Sequence, residues 1–297
     1  WVVPILIFPL FGGLLYIAVG GKRPQRKMRR ALTKADELTK PYEEKHQELL
    51  EEIRQTQPHL AGQMGYLAAK GYPVYKNTEA EYFPLGDDNF PVMLEELKKA
   101  KHYIFLEYFI VQEGEMWNSI LEILKEKAAE GLDVRFMYDD VGSLFKVPAG
   151  YYRKIEEMGI KCICFNSFVP FLSVVMNNRD HRKIMVIDGH TAFTGGINLA
   201  DEYINVGSKF GHWKDTGLVL RGEAVWSLTL MFLNMWNAFR PTDTDLNHFR
   251  PRVWGPDRLQ GEGYVQPYAD TPMDDEIVAE NVYMNLINGA TRYVYIF

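Results

Sequence analysis

Residues 181–198 read HRKIMVIDGHTAFTGGIN. Two apolar runs flank Asp188-Gly189, a dipeptide favoured in tight hairpin turns, so the stretch predicts two antiparallel strands. His181 and Lys183 stand two apart at the edge of the first run, and on a strand such residues project from the same face. An imidazole is a nucleophile or proton carrier near neutral pH, and a neighbouring ammonium stabilises charge developing on a phosphoryl oxygen. Asn198 adds a side-chain amide donor for the same group, and Gly195-Gly196 lets backbone approach closely. Average residue usage gives H-x-K-x4-D followed by G-G-x-N at this spacing a chance of the order of 10⁻⁶ per chain.

Outward from this hairpin, strands and helices alternate. YIFLEYFIV (103–111), DVRFMYDD (133–140), IKCICFN (160–166) and DTGLVLRG (215–222) read as strands rich in β-branched and aromatic residues. Residues 116–130 carry helical spacing through Ile120, Leu124 and Ala128, with Gly131 at a C-cap position. LEELKKAKHY (94–103), YYRKIEEMG (151–159) and AVWSLTLMFLNMWNAF (224–239) also read as helical. The alternation predicts an α/β fold with crossover connections, and the proline- and glycine-bearing residues 240–270 read as loop or linker.

The chain has 297 residues, of which 47% are hydrophobic and 13% aromatic, which excludes wholesale disorder. A net charge of −6 argues against non-specific nucleic-acid binding, which needs a broad cationic surface. Cys162 and Cys164, the two cysteines, read as small core residues on one strand face, and no Cys/His spacing points to a metal.

Residues 1–21 carry no charged side chain, whereas Lys22, Arg23, Arg26, Lys27, Arg29 and Arg30 follow without an acid among them. A helix of that length spans roughly 30 Å, so the segment predicts a transmembrane helix with the cationic collar and all that follows on the cytoplasmic side. Without those six cations the remaining chain stands at −12. Residues 22–59 read as basic collar and polar helical linker, interrupted by Pro41, that lifts the next domain off the membrane. The globular part then runs over 60–265. The chain opens on Trp1, so this reading expects its amino end to be incomplete.

LKKAKHYIFL (97–106) and INGATRYVYI (287–296) align at an offset of 190, sharing the alanines Ala100 and Ala290 and the tyrosines Tyr103 and Tyr293. In both, a helix is expected to run into a buried strand. Residues 266–297 therefore read as the start of a second, truncated copy of the domain.

The motif H-x-K-x4-D-x6-G-[GS]-x-N resembles the signature of the phospholipase D superfamily. Its surroundings resemble those of bacterial cardiolipin synthases: YIFLEYFI, GLDVRFMYDDVGS, NNRDHRKIMVIDGHTAFTGGINLADEY and HWKDTGLVLRG, with Phe232 and Trp236. The resemblance implies a mixed sheet flanked by helices, in two repeats that share one active site, each giving one H-x-K. It makes His181 the nucleophile that forms a phosphatidyl-histidine intermediate. Lys183 and Asn198 bind phosphoryl oxygens beside Gly195 and Gly196, and Asp188 belongs to the catalytic motif, with a bracing role at the hairpin turn. An acid downstream orients an active-site histidine, and Asp215 fits that role better than Asp201 or Glu202. His190 and His212 read as polar loop histidines. The implied reaction moves a phosphatidyl group from one phosphatidylglycerol to another without metal or cofactor, at the bacterial inner membrane among anionic lipids. The second histidine would come from a second repeat or a second copy of the chain. A phospholipase D-type hydrolase and a non-catalytic, membrane-tethered scaffold stay open as alternatives.

Overall fold

Seven strands make one mixed sheet in the computed structural model, which describes residues 2–19, 26–166, 179–207, 211–251, 261–271, 273 and 276–296. They are β1 (Thr78–Phe83), β2 (Tyr103–Tyr108), β3 (Asp133–Asp139), β4 (Lys161–Phe165), β5 (Lys183–Ile187), β6 (Thr191–Gly195) and β7 (Gly217–Gly222), in the order β1-β7-β6-β5-β2-β3-β4. β2, β3 and β4 run parallel, joined by crossovers through α7 (Glu115–Ala129) and α8 (Tyr151–Glu157). β5, β6, β7 and β1 continue antiparallel from the other side of β2.

The pleat sorts the apolar residues onto two faces. Ile104, Leu106 and Met185 face α6 (Gly86–Lys99) and α7 and pack with Leu97 and Trp117. Phe105, Ile184 and Val186 face α9 (Val225–Phe239) and pack with Phe232 and Trp236. Both cysteines lie on the first of these faces, Cys162 buried and Cys164 partly so, as their spacing predicts.

The 183–195 hairpin forms as expected. Asp188 (φ 51°) and Gly189 (φ 71°) take the two left-handed positions of a type I′ turn, and His190 N donates to Ile187 O at 3.2 Å. The Asp188 carboxylate accepts the backbone N–H groups of Lys101 (2.7 Å), His102 (2.8 Å) and Tyr103 (2.8 Å), so the turn fixes the start of β2. Bonds from N–H groups to a charged acceptor are each worth about 1.5–3 kcal/mol. Asp188→Ala is therefore expected to cost about 2–4 kcal/mol in urea unfolding, and a loss below about 1 kcal/mol would contradict this role.

Four regions differ from the sequence reading. The apolar amino-terminal run is not one helix: α1 (Val2–Ile7) and α2 (Pro9–Val19) are separate and meet at Phe8. Pro9 has no N–H to donate to Ile5 O, which breaks the ladder there. Among the described residues no helix is long and apolar enough to cross a membrane, which corrects the transmembrane helix expected over 1–21.

The collar and linker, 22–59, do not stand apart where they are described. α3 (Arg26–Thr39) buries Leu32 and Ala35 against Ala238 of α9, while its arginines stay on the outer side. α4 (Gln47–Thr56) and α5 (Pro58–Ala69) pair around Leu50, Ile53 and Met64. Described parts of 240–270 are likewise tied in. Arg135, sandwiched by Phe105, Trp236 and Phe249, bonds Asp243 (2.7 and 2.9 Å), and Val265 pairs with Tyr75.

The helix of the anticipated second copy exists as α10 (Val278–Gly289), docked on α5 through Leu67, Val278 and Val282. The strand expected after it does not form, and Tyr293, Tyr295 and Ile296 are exposed. β2, its counterpart, is a strand because β3 and β5 pair with it on both sides. Residues 291–296 have no such partner among the described residues.

Candidate active site

Lys183 opens β5, and its neighbours at that edge of the sheet are the ends of β2, β3 and β6 and the start of β7. Asp139, the last residue of β3, holds the approach to β5. Its carboxylate accepts Asp180 N at 3.1 Å and pairs with Arg179 at 3.4 Å, while also accepting Val141 N and Gly142 N. Arg182 turns to the other face and lies 2.6 Å from Glu107 Oε1 and 3.3 Å from Asp180 Oδ1. Burial pushes the fully enclosed Glu107 carboxyl above its ordinary range, with Arg182 pulling it back. This ion pair clamps β5 to β2 one residue away from both His181 and Lys183.

The two residues singled out by spacing do come together. The His181 ring lies 4.7 Å from the Phe109 ring, and Lys183 Nζ stands 5.5 Å over that same ring. Lys183 Nζ also donates to His181 O at 2.6 Å. Burial, and then the Lys183 ammonium, lower the His181 imidazole below its ordinary 6.5, with Asp180 pulling the other way. Burial brings the Lys183 ammonium down to about 8, against Asp180 and Asp215. At neutral pH the pair is therefore a neutral imidazole beside an ammonium that retains its proton, which suits attack on a phosphodiester.

Both residues line a cleft of about 570 Å³ that extends beneath α3 and along α9. Gly195, at the end of β6, lines it as well. Gly196 does something the sequence did not disclose: a Cβ there would fall inside the Asp215 carboxylate, so the glycine makes room for that acid. Asp215 accepts Thr216 N at 2.7 Å, and its charge acts on Lys183 and on Tyr203. The carboxylate whose charge acts on His181 is that of Asp180. Gly196→Ala is expected to displace Asp215 and lower activity about as much as Asp215→Asn. The double variant should be no worse than either single one, and additive losses would contradict the coupling.

Asn198 is buried, with Oδ1 accepting Ile110 N at 2.9 Å and Nδ2 donating to Tyr203 Oη at 2.8 Å. It fixes the backbone next to Phe109, and is not among the residues that line the cleft. Asp188 lies at the opposite end of β5, about 16 Å along the strand from Lys183, with its carboxylate occupied by β2 amides. The structure therefore does not bring it to the site with the rest of its motif. Asp201 caps α7 by accepting Glu115 N and Met116 N, and Glu202 pairs with Lys146 at 3.2 Å. His190 is exposed in the turn, 2.8 Å from Thr191 Oγ1, and His212 is exposed in the loop before β7. Phe109, Asp139, Asp180 and the Glu107–Arg182 pair escaped the sequence reading. Glu107 left a signal, as an acid inside the otherwise apolar YIFLEYFI.

Comparison with known proteins agrees with the motif. Residues 93–209 match the family described as "Cardiolipin synthase, PLD-like domain". A Geobacillus sp. (strain WCH70) cardiolipin synthase is 37% identical over all of this chain and 59% of its own length. An uncharacterized protein of Streptococcus mutans is 43% identical over all of this chain and 64% of its own. The chain thus spans about three fifths of the curated relatives it matches. A solved phospholipase D family member, Nuc from Salmonella typhimurium, is 18% identical over 54% of this chain and 94% of its own, with a TM-score of 0.41. Residues 93–209, which hold β2, β3 and the β5–β6 hairpin, are thus similar to the cardiolipin synthase, PLD-like domain, and the chain as a whole is similar to cardiolipin synthases over about three fifths of their length.

Proposed function

We propose that this chain supplies the nucleophilic half of a phosphatidyltransferase that joins two phosphatidylglycerol molecules into cardiolipin and releases glycerol. The observation that carries the reading is the imidazole of His181 and the ammonium of Lys183 against one ring, at a cleft. An imidazole nitrogen of His181 attacks phosphorus, a P–N bond forms, and the P–O bond to the first glycerol breaks as that glycerol takes a proton. The hydroxyl of a second phosphatidylglycerol then attacks, gives up its proton, and breaks the P–N bond. Lys183 neutralises the charge that gathers on the phosphoryl oxygens in both displacements. The proton donor and acceptor is a second histidine, from a second repeat or a second copy of the chain. One phosphodiester replaces another, so the exchange is nearly isoenergetic and needs no nucleotide.

The reaction takes place at the surface of the bacterial cell membrane. Two features support that location: the arginines on the outer side of α3, and the exposed apolar residues of α1 and α2, including Leu6, Leu10 and Phe11. To test the reading, the full-length gene product is supplied with phosphatidylglycerol in mixed micelles and the lipids are resolved. Cardiolipin with stoichiometric glycerol is expected. Phosphatidic acid as sole product would turn the assignment to a hydrolase, and no turnover at all would turn it to a scaffold.

A further inference from the structure

The cleft lined by His181 and Lys183, and by Arg179, Asp180 and Arg182 beside them, does not stay polar. Its long wall is α9, which presents Leu228, Met231, Met235 and Phe239, and its roof is Met28 and Leu32 of α3. From Leu228 to Phe239 the helix rises roughly 16 Å, long enough to follow most of a fatty-acyl chain. A cleft of about 570 Å³ lies within the range of about 300–1,000 Å³ usual for small-molecule sites. Three acids touch the same cleft, and all have partners: Asp36 accepts Asn234 Nδ2 at 2.6 Å, Asp180 pairs with Arg182 at 3.3 Å, and Asp270 accepts Ala279 N at 3.0 Å. Methionines suit a flexible guest because their unbranched side chains adapt to irregular shapes.

A cationic end followed by an apolar trough matches one kind of molecule, an anionic phosphodiester carrying an alkyl chain. We infer that the trough between α3 and α9 holds one acyl chain of the phosphatidyl donor while its phosphorus sits at His181. The inference rests on the phosphatidyl-transfer reading and adds to it a seat for the chain. It also accounts for the position of α3, which roofs the acyl chain and covers the apolar side of α9.

The test uses the full-length protein and phosphatidylglycerol carrying a diazirine midway along one acyl chain, in mixed micelles. After irradiation, cross-links are expected on the α9 peptide with Met231 and Met235 and on the α3 peptide with Met28 and Leu32. Cross-links confined to residues 2–19, or to surfaces away from α3 and α9, would overturn the seat. So would an unlabelled trough covered by other parts of the protein. A second measurement uses Met235→Trp, which fills the trough. Transfer from dioleoyl phosphatidylglycerol should fall about tenfold, and transfer from dihexanoyl phosphatidylglycerol by less than about twofold. Equal losses, or none, would overturn the inference; should this variant fail to fold, the labelling of the unaltered protein decides. Transfer without labelling of the trough removes the seat and leaves the reaction, whereas labelling without transfer removes the reaction and leaves the seat.

Discussion

Replacing His181 with alanine in the full-length gene product is expected to lower cardiolipin formation by about 10⁴-fold or more, the scale on which covalent catalysis collapses without its nucleophile. The fold should survive this change. His181 is more exposed than buried, and among the described residues its ring packs on Phe109, so stability should move by less than about 1 kcal/mol. Binding of phosphatidylglycerol should persist, because Lys183 and the cleft are untouched. Activity within about tenfold of the unaltered enzyme, in protein with an unchanged circular dichroism spectrum, would contradict the nucleophile assignment.

The second large effect concerns Lys183, whose burial serves the reaction at a cost to stability. Its pKa in the folded chain is about 8, below the ordinary 10.5, so between these values the unfolded chain binds more protons than the folded one. Stability therefore rises with pH across that window, and the penalty is fully present below pH 8. Lys183→Met removes it. This variant should be more stable than the unaltered protein at pH 7 by about 1–3 kcal/mol, even though the bond to His181 O is lost. The gain should vanish near pH 10.5, as read by urea unfolding at the two pH values.

Activity should go the other way, with Lys183→Met losing about 10²–10³-fold because the phosphoryl charge is no longer met. The same pair predicts the pH profile of kcat/KM. An ascending limb below 6.5 reports His181 becoming neutral, and a falling limb near 8 reports Lys183 losing its proton. Lys183→Arg keeps its charge through this range and should erase the falling limb. A falling limb unchanged in that variant would assign it to another group.

How far the sequence disclosed this site depends on where each residue's partners lie. The hairpin was legible because Asp188-Gly189 and the runs on either side specify it locally. His181 and Lys183 were legible as a pair because strand alternation puts them on one face. Phe109 was not, since it meets them through the pairing of β2 with β5, which local pattern does not specify. Asp215 was found as an acid before a strand, but its place beside Gly196 arises from the register of β6 against β7. Asp188 was legible as a brace at the turn, but its distance along β5 from Lys183 was not, because motif membership says nothing of distance along a strand. Edge strand β1, TEAEYF, was missed because four of its six residues are exposed and no apolar alternation marks it. The apolar face of α3 was hidden by its charges, although Met28, Leu32 and Ala35 stand at helical spacing. At the amino end, length outweighed Pro9 in the reading, whereas the backbone follows the proline.

The covalent intermediate is the most direct point of attack. Full-length protein is mixed with phosphatidylglycerol labelled at phosphorus, quenched in alkali within milliseconds so that a P–N bond survives, and digested for peptide mapping. Label on the peptide containing His181, rising before cardiolipin appears and absent from His181→Ala, is the predicted result. Label on another residue, or cardiolipin accumulating with His181 never modified, would contradict it.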